Sequence, residues 1–534
     1  MQPRGLVIIV TLLAALFLPG TGSGAAAPSP RPGGRVVVAL TAGWDLLDPA
    51  VAAFTFAREI MGNIYDPLLI RDPNSGEIRP GLASSYTVSP DGRVILLKLR
   101  QGVKFHDGTP LTAEAVAFSL NRIKDPVLRS PFAATILGPV ERVETPDPFT
   151  VQITLSTSFA PFLDALTEIG LAPVSPAAVR RFGAGFGQNP VGTGPFMVKE
   201  IVPNQRITLV RNPNYRWAPR IFRHPGPAYL DELVYTVVPE DATRVAQLVR
   251  GEVQVLYNAP PREVKRLSRN PNFRAFFKDQ PGLPRVIILN TSRWPFDDPR
   301  VRQAVAHAID KDELLRVVYE NEGAVANAPL SPATWGYNKA VERLAQPYNP
   351  DRARQLLSEA GWRPGPDGIL VKDGRPFRIR LGTITVAQQL LDAQVKQAQL
   401  RRVGIDAQIV AIEQAPYLAG IRRGEWEMAG MLFVSADPDV LFIVGHSSQI
   451  ERGWNTAIYR NAELDRLLEE GRVTMDQRRR FEIYTRAQEH LMRNAPYIPF
   501  YVIKRAFLAT AALNGYVLDA RAFQLFHNAW LARR

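Results

Sequence analysis

Apolar and polar residues repeat along this chain with two periods, and the repeat changes from one region to the next. Arg35–Leu40 is a β-branched run that opens the chain's regular structure as a strand, and 68–71 and Val94–Leu99 read as further strands. Ser89-Pro90-Asp91-Gly92 suits a type I turn, with proline second and glycine fourth. A helix is predicted from Thr112, whose hydroxyl can cap the first turn; Ala115, Phe118 and Ser119 begin its buried face. Farther on, helical periods dominate. Asp298-Pro299 is a cap followed by a first-turn proline, with Val301, Ala304, Val305, Ala308 and Ile309 on one face. Asn349-Pro350 repeats the signal, with Ala353, Leu356, Leu357 and Ala360 as the stripe and Gly361 at the end. Segments 371–381 and 407–412 read as strands on either side of a helix over 387–403, and 498–503 returns to strand. This alternation predicts an α/β architecture.

The N-terminus adds a destination. Arg4 precedes an apolar run over 6–18, then Pro19-Gly20 and small residues through Ala27. That is the layout of a secretory signal peptide over 1–27 with cleavage near Ala27; an uncleaved anchor is the alternative. Residues 28–35 read as a flexible leader. The chain holds no cysteine, so disulfides, thiolate metal sites and lipidation through an N-terminal cysteine are excluded. The expected place of work is the periplasm or cell surface.

At 534 residues, 46% of them hydrophobic, more than one lobe is expected. The net charge of +13 comes from scattered Lys and Arg. The densest cluster, Arg478-Arg479-Arg480, lies beside Asp476 and Glu482 and reads as a solvated helix face, so nucleic acid is not an expected partner.

Candidate chemistry is thin. Phe105-His106-Asp107-Gly108 contains a His/Asp pair, but in a turn between a strand and a helix, where a structural role is expected. Gly183 to Gly187 follows a helical segment and lacks a phosphate-loop Lys-Ser/Thr. Gly445-His446-Ser447-Ser448-Gln449 lacks the final glycine of a nucleophile elbow. The six histidines are dispersed and no HExxH occurs, so neither a metal site nor a cofactor is expected. A secreted hydrolase is the different-class alternative, and it lacks any coherent triad.

Several ordered motifs resemble the extracytoplasmic solute-binding proteins of the peptide/nickel family (family 5). They are Tyr65-Asp66-Pro67-Leu68-Leu69, Pro80-Gly81-Leu82-Ala83, Ser89-Pro90-Asp91-Gly92, and the run from Leu99 to Gly108. Val191-Gly192-Thr193-Gly194-Pro195-Phe196, Asn212-Pro213-Asn214-Tyr215 and the stretch from Phe296 to Arg302 follow in order. The resemblance implies a two-lobed, type II periplasmic-binding-protein fold with an enlarged lobe I and a hinged ligand cleft. Lobe I would comprise 36–279 with a C-terminal return over 501–534, and lobe II 280–500. Hinge crossings are placed near 278–286 and 499–503. It also implies the function: a monomeric, non-enzymatic receptor that closes on a peptide or peptide-sized solute and delivers it to ABC permease subunits, with ATPase subunits behind them.

The resemblance implies a site as well. Peptide-binding members pair the peptide's amino terminus with an Asp; the aligned residue here is Val434, next to Ser435. Dipeptide members hold the carboxylate with an Arg in a loop that is shorter here and carries Thr383 and Thr385 instead. Asp437 is either a displaced anchor or the cap of a turn with Pro438. The nickel-binding His position offers Asp439 and Val440. The remaining candidates are Trp44 and Asp45, Trp335 and Tyr337, and Trp454 and Asn455. Aromatic and neutral polar groups suit longer peptides held by their backbones, or a neutral solute such as an oligosaccharide. Free dipeptides are expected to bind poorly.

Overall fold

The computed structural model describes residues 29–532 apart from 53, 129, 131 and 452. The signal segment read over 1–27 lies outside the described residues. Two mixed sheets organise the rest. A seven-stranded sheet runs Phe273–Asp279, Lys504–Thr510, Val255–Leu256, Arg35–Leu40, Glu232–Val237, Arg206–Arg211, Phe196–Val202. A six-stranded sheet runs Ala324–Val325, Tyr497–Val502, Gly282–Leu289, Met428–Val434, Arg378–Ile384, Asp406–Ile412. Each belongs to one lobe. The chain leaves the first sheet at Asp279 and enters the second at Gly282; it leaves the second at Val502 and re-enters the first at Lys504. The two crossing segments are tied, Gln280 N–H donating to Ile503 O at 3.0 Å. A four-stranded antiparallel sheet, Ala83–Val88, Val94–Leu99, Thr150–Leu155 and Val140–Asp147, extends the first lobe with its own apolar core.

Local signals explain most elements. Thr112 Oγ1 accepts from Ala115 N–H at the start of helix Ala113–Ile123. Asp298 and Asn349 cap helices Pro299–Ala308 and Pro350–Glu359. One predicted strand is different. Segment 371–381 breaks into Leu370–Lys372, Arg375–Pro376 and Arg378–Ile384, because Asp373 and Gly374 both take positive φ and make a tight hairpin.

The family motifs converge on one buried carboxylate. Asp66 accepts from Tyr215 Oη at 2.9 Å, Thr193 Oγ1 at 2.9 Å and Trp217 Nε1 at 3.1 Å. Burial raises its pKa, and these hydrogen bonds oppose the rise. The glycines flanking Thr193 are needed for close approach: a Cβ at Gly192 would sit 2.3 Å from Ile64 O, and one at Gly194 2.5 Å from Ile64 C. His106 clasps the same turn. Its Nδ1 accepts from Gly192 N–H at 3.3 Å, which leaves Nε2 to donate to Gly194 O at 3.0 Å. Burial pushes its pKa down to about 4, so the ring is neutral. Asp107 accepts from Ser175 Oγ at 2.5 Å and from Thr109. The His/Asp pair thus belongs to the scaffold.

Candidate functional site

A cavity of ≈ 1450 Å3 lies between the two sheets and is walled by both. From the first lobe come the turn after strand Arg35–Leu40, including Trp44; the start of helix Thr55–Met61; Tyr257; and Lys504 to Ala506 just past the second crossing. From the second come Arg285, the end of strand Arg378–Ile384, strand Met428–Val434, and one face of helix Ala387–Arg401. That face is polar although buried. Gln389, Asp392 and Lys396 recur three to four residues apart and look into the cavity rather than into an apolar layer. Lys396 Nζ pairs with Asp392 Oδ2 at 2.5 Å and lies 3.8 Å from the centre of the Phe500 ring. Burial lowers the lysine pKa, and Asp392 opposes that fall.

The predicted site residues divide into two groups. Trp44, Thr383, Thr385, Val434 and Trp454 line the cavity. Thr383 Oγ1 donates to Gln389 O at 3.2 Å and Thr385 Oγ1 to Glu413 Oε1 at 3.1 Å, so the short loop is held onto neighbouring helices. Val434 pairs with Gly282 in the sheet. Trp454 packs edge-on against Phe433 at 5.9 Å. Asp45, Trp335, Tyr337, Ser435, Asp437 and Asn455 fall outside the cavity lining. Asp45 accepts from Phe54 N–H at 3.2 Å. Tyr337 donates to Glu342 Oε1 at 2.5 Å. Asn455 spends its amide on Gly445 O, His446 O and Tyr459 O. Ser435 Oγ exchanges hydrogen bonds with the backbone of Asp437.

Asp437 is bound by the protein itself. Both its oxygens accept from Arg480, at 2.6 and 2.8 Å, and one also accepts from Asp439 N–H, the turn-capping contact. This corrects the reading of Arg478-Arg479-Arg480 as a solvated face. Arg478 and Arg479 are exposed, but the helical period turns Arg480 inward beside Ile483 and Tyr484, at 5% exposure. Its guanidinium lies 5.2 Å from the Trp335 ring centre, which fixes that aromatic as well. Asp439, a position the family resemblance singles out, pairs with Arg472 Nε at 3.1 Å and accepts from Tyr484 Oη at 3.0 Å. Burial pushes its pKa up to about 6, against the pull of Arg472. Arg472 also joins the lobes: its carbonyl accepts from Ala160 N–H at 2.7 Å, and its guanidinium lies between Phe159 and Phe442.

Comparison with known proteins decides the family. A profile described as "Bacterial extracellular solute-binding proteins, family 5 Middle" matches residues 77–449. This chain is a family 5 extracellular solute-binding protein. Among curated relatives, the glutathione-binding protein GsiB of Escherichia coli O1:K1 / APEC is 30% identical over 491 residues, covering 90% of this chain and 91% of the relative. Among solved structures, the oligopeptide-binding protein AppA from Bacillus subtilis, in complex with a nonapeptide, superposes with TM-score 0.87 at 27% identity, over 95% of this chain and 100% of that one. The periplasmic binding protein DppA from Helicobacter pylori, in complex with peptide STSA, gives 0.83 at 30% identity, over 94% and 99%. The fold is the two-lobed α/β fold of these proteins, and the family's role is that of the substrate-binding subunit of an ABC importer, outside the cytoplasm. Among the described residues no helix is long and apolar enough to cross a membrane.

Sequence reasoning misses the charged residues of the cavity wall, Arg285, Asp392, Lys396 and Arg505 among them. A signal exists for the first: Arg285 is an arginine inside an otherwise apolar strand, GLPRVIIL.

Proposed function

We propose that this chain captures peptides longer than two residues, or solutes of similar length, and closes its lobes on them for delivery to membrane permease subunits. The supporting observation is the cavity. Its ≈ 1450 Å3 exceeds the ~300–1,000 Å3 usual for drug-sized ligands. Its wall offers Val434 where a peptide amine would need a carboxylate, and the carboxylate of Asp437 is held by Arg480. An ammonium left unpaired in a closed cleft costs several kcal/mol, so a ligand with both ends enclosed at dipeptide spacing is disfavoured. In this reading lobe I is 36–279 plus 501–534, lobe II is 280–500, and the hinge lies where the chain crosses between sheets. The chain is exported by its first 27 residues and acts as a monomer without catalysis. His106 and Asp107 support the last point, being occupied by scaffold contacts.

Isothermal calorimetry with dipeptides, peptides of three to nine residues and neutral oligosaccharides tests this. Longer peptides are expected to bind at least tenfold more tightly than any dipeptide. Tight binding of dipeptides, or of oligosaccharides alone, would replace the reading.

A further inference from the structure

The cations around the cavity are unevenly neutralised. Arg58 has Glu168 at 2.6 Å, Arg244 has Asp241, and Lys396 has Asp392. Arg285, Lys504 and Arg505 also line the cavity and form no ion pair among the described residues. Lys504 is exposed and rests on the Phe277 ring, so water serves it. The two arginines are different. Arg505 is 5% exposed, and its hydrogen bonds go to neutral groups, Gln280 Oε1 at 2.8 Å and the Tyr257 hydroxyl. Arg285 is half-buried. Its Nη1 donates to Gln389 Oε1 at 2.5 Å, and its Nε is enclosed without a hydrogen-bond partner.

The fold gives each lobe one of these groups. Arg505 stands in strand Lys504–Thr510 of the first sheet, opposite Lys278 and just past the second crossing. Arg285 stands in strand Gly282–Leu289 of the second sheet, opposite Tyr501 and just past the first crossing. Glu59 is the carboxylate whose charge bears on Arg505. It is wholly buried, accepts from Gln524 N–H at 3.1 Å, and is pushed upward in pKa by that burial. Burying the Arg505 guanidinium without an ion-pair partner is costly, as is enclosing Arg285 Nε without a hydrogen-bond partner, and the fork of an arginine matches the two oxygens of a carboxylate.

We propose that Arg505 and Arg285 form a clamp, one jaw on each lobe, for a carboxylate or similar planar oxyanion carried by the solute. The inference rests on the reading of the cavity as a solute cleft and names the chemistry it selects. It also supplies a reason for closure. An anion held by both jaws favours the state that brings both to it, and only such differential binding moves a hinge equilibrium.

Calorimetry with the full chain tests the clamp. The probes are Ala-Ala-Ala, its C-terminal amide and maltotriose, against wild type, Arg505→Gln, Arg285→Gln and Arg505→Lys, each checked for folding by thermal melting. The free acid is expected to bind at least tenfold more tightly than the amide. Each glutamine variant should lose tenfold or more for the acid and under twofold for the amide. Arg505→Lys keeps the charge without the fork and should fall between. Equal affinity for acid and amide, or equal losses for both, overturns the clamp while leaving peptide capture standing. If neither peptide form binds, peptide capture fails for these probes, and the clamp is decided by mass spectrometry of solute co-purifying with wild type and Arg505→Gln. An anionic solute lost from the variant supports it; a neutral or purely cationic solute, or no difference between the two proteins, overturns it.

Discussion

Alanine at Gly282 is expected to destabilise the chain by about 2–5 kcal/mol, combining the cost of a side chain at positive φ with that of overpacking. Gly282 is the first residue of the second lobe's sheet after the crossing, with φ at 107°. A Cβ there would lie 2.1 Å from Phe433 O and 2.6 Å from Ser435 N. Both are backbone atoms at the end of strand Met428–Val434, which forms part of the cavity wall, so no side-chain rotation relieves the clash. The strand must move or the sheet must open at its hinge end. Gly430 is the control: in the same strand, a Cβ would meet only Val286 O at 3.7 Å. Urea unfolding of both alanine variants separates the cases, with Gly430→Ala within about 1 kcal/mol of wild type. Equal stability of Gly282→Ala and wild type would show that the crossing is not built as described.

Arg480→Ala is expected to cost about 3–5 kcal/mol near neutral pH, the range for breaking a buried pair from one side. Asp437 would lose the guanidinium from both oxygens and keep only the Asp439 N–H on one, Gly471 O would lose Arg480 Nε at 2.9 Å, and Trp335 would lose the group beneath it. The cost should depend on pH. Asp439 shares this cluster with Arg472, Arg480, Asp437 and Tyr484, and its pKa is already pushed up to about 6 by burial. A carboxyl whose folded pKa is raised contributes stability that is complete below its unfolded pKa and is lost as pH rises through the folded value. Removing one cation raises Asp439 further, so the variant goes on losing stability at pH values where wild type has stopped. The gap should widen by about 1 kcal/mol or more between pH 5 and pH 8, read from unfolding curves at each. A gap that is constant, or that narrows toward pH 8, would contradict this account of the cluster.

The parts of the fold that were legible are those with local chemistry. Asp298-Pro299 and Asn349-Pro350 mark helix starts because caps act over three or four residues. Asp373-Gly374 carried an equally local hairpin signal, and reading 371–381 as one strand overlooks it. The pairing of Val255–Leu256 between Arg35–Leu40 and Lys504–Thr510 leaves no local trace, since its partners lie hundreds of residues apart. At the site, Val434, Thr383 and Thr385 were reachable through the family's motifs. Asp437 and Trp335 were plausible from residue type alone, and only the inward turn of Arg480 removes them from the cavity lining. Arg505, following Lys504, escapes a sequence reading because a charge in a strand usually faces water, and the lone Arg285 is a signal without a partner; it takes the crossing of the chain between two sheets to bring both to one cleft.

A solute held in this cavity is expected to draw the two lobes together. Small-angle X-ray scattering on the full chain, before and after saturation with a peptide shown by calorimetry to bind, measures it directly. A smaller radius of gyration in the bound state is the predicted result; an unchanged radius with the peptide tightly bound would contradict it.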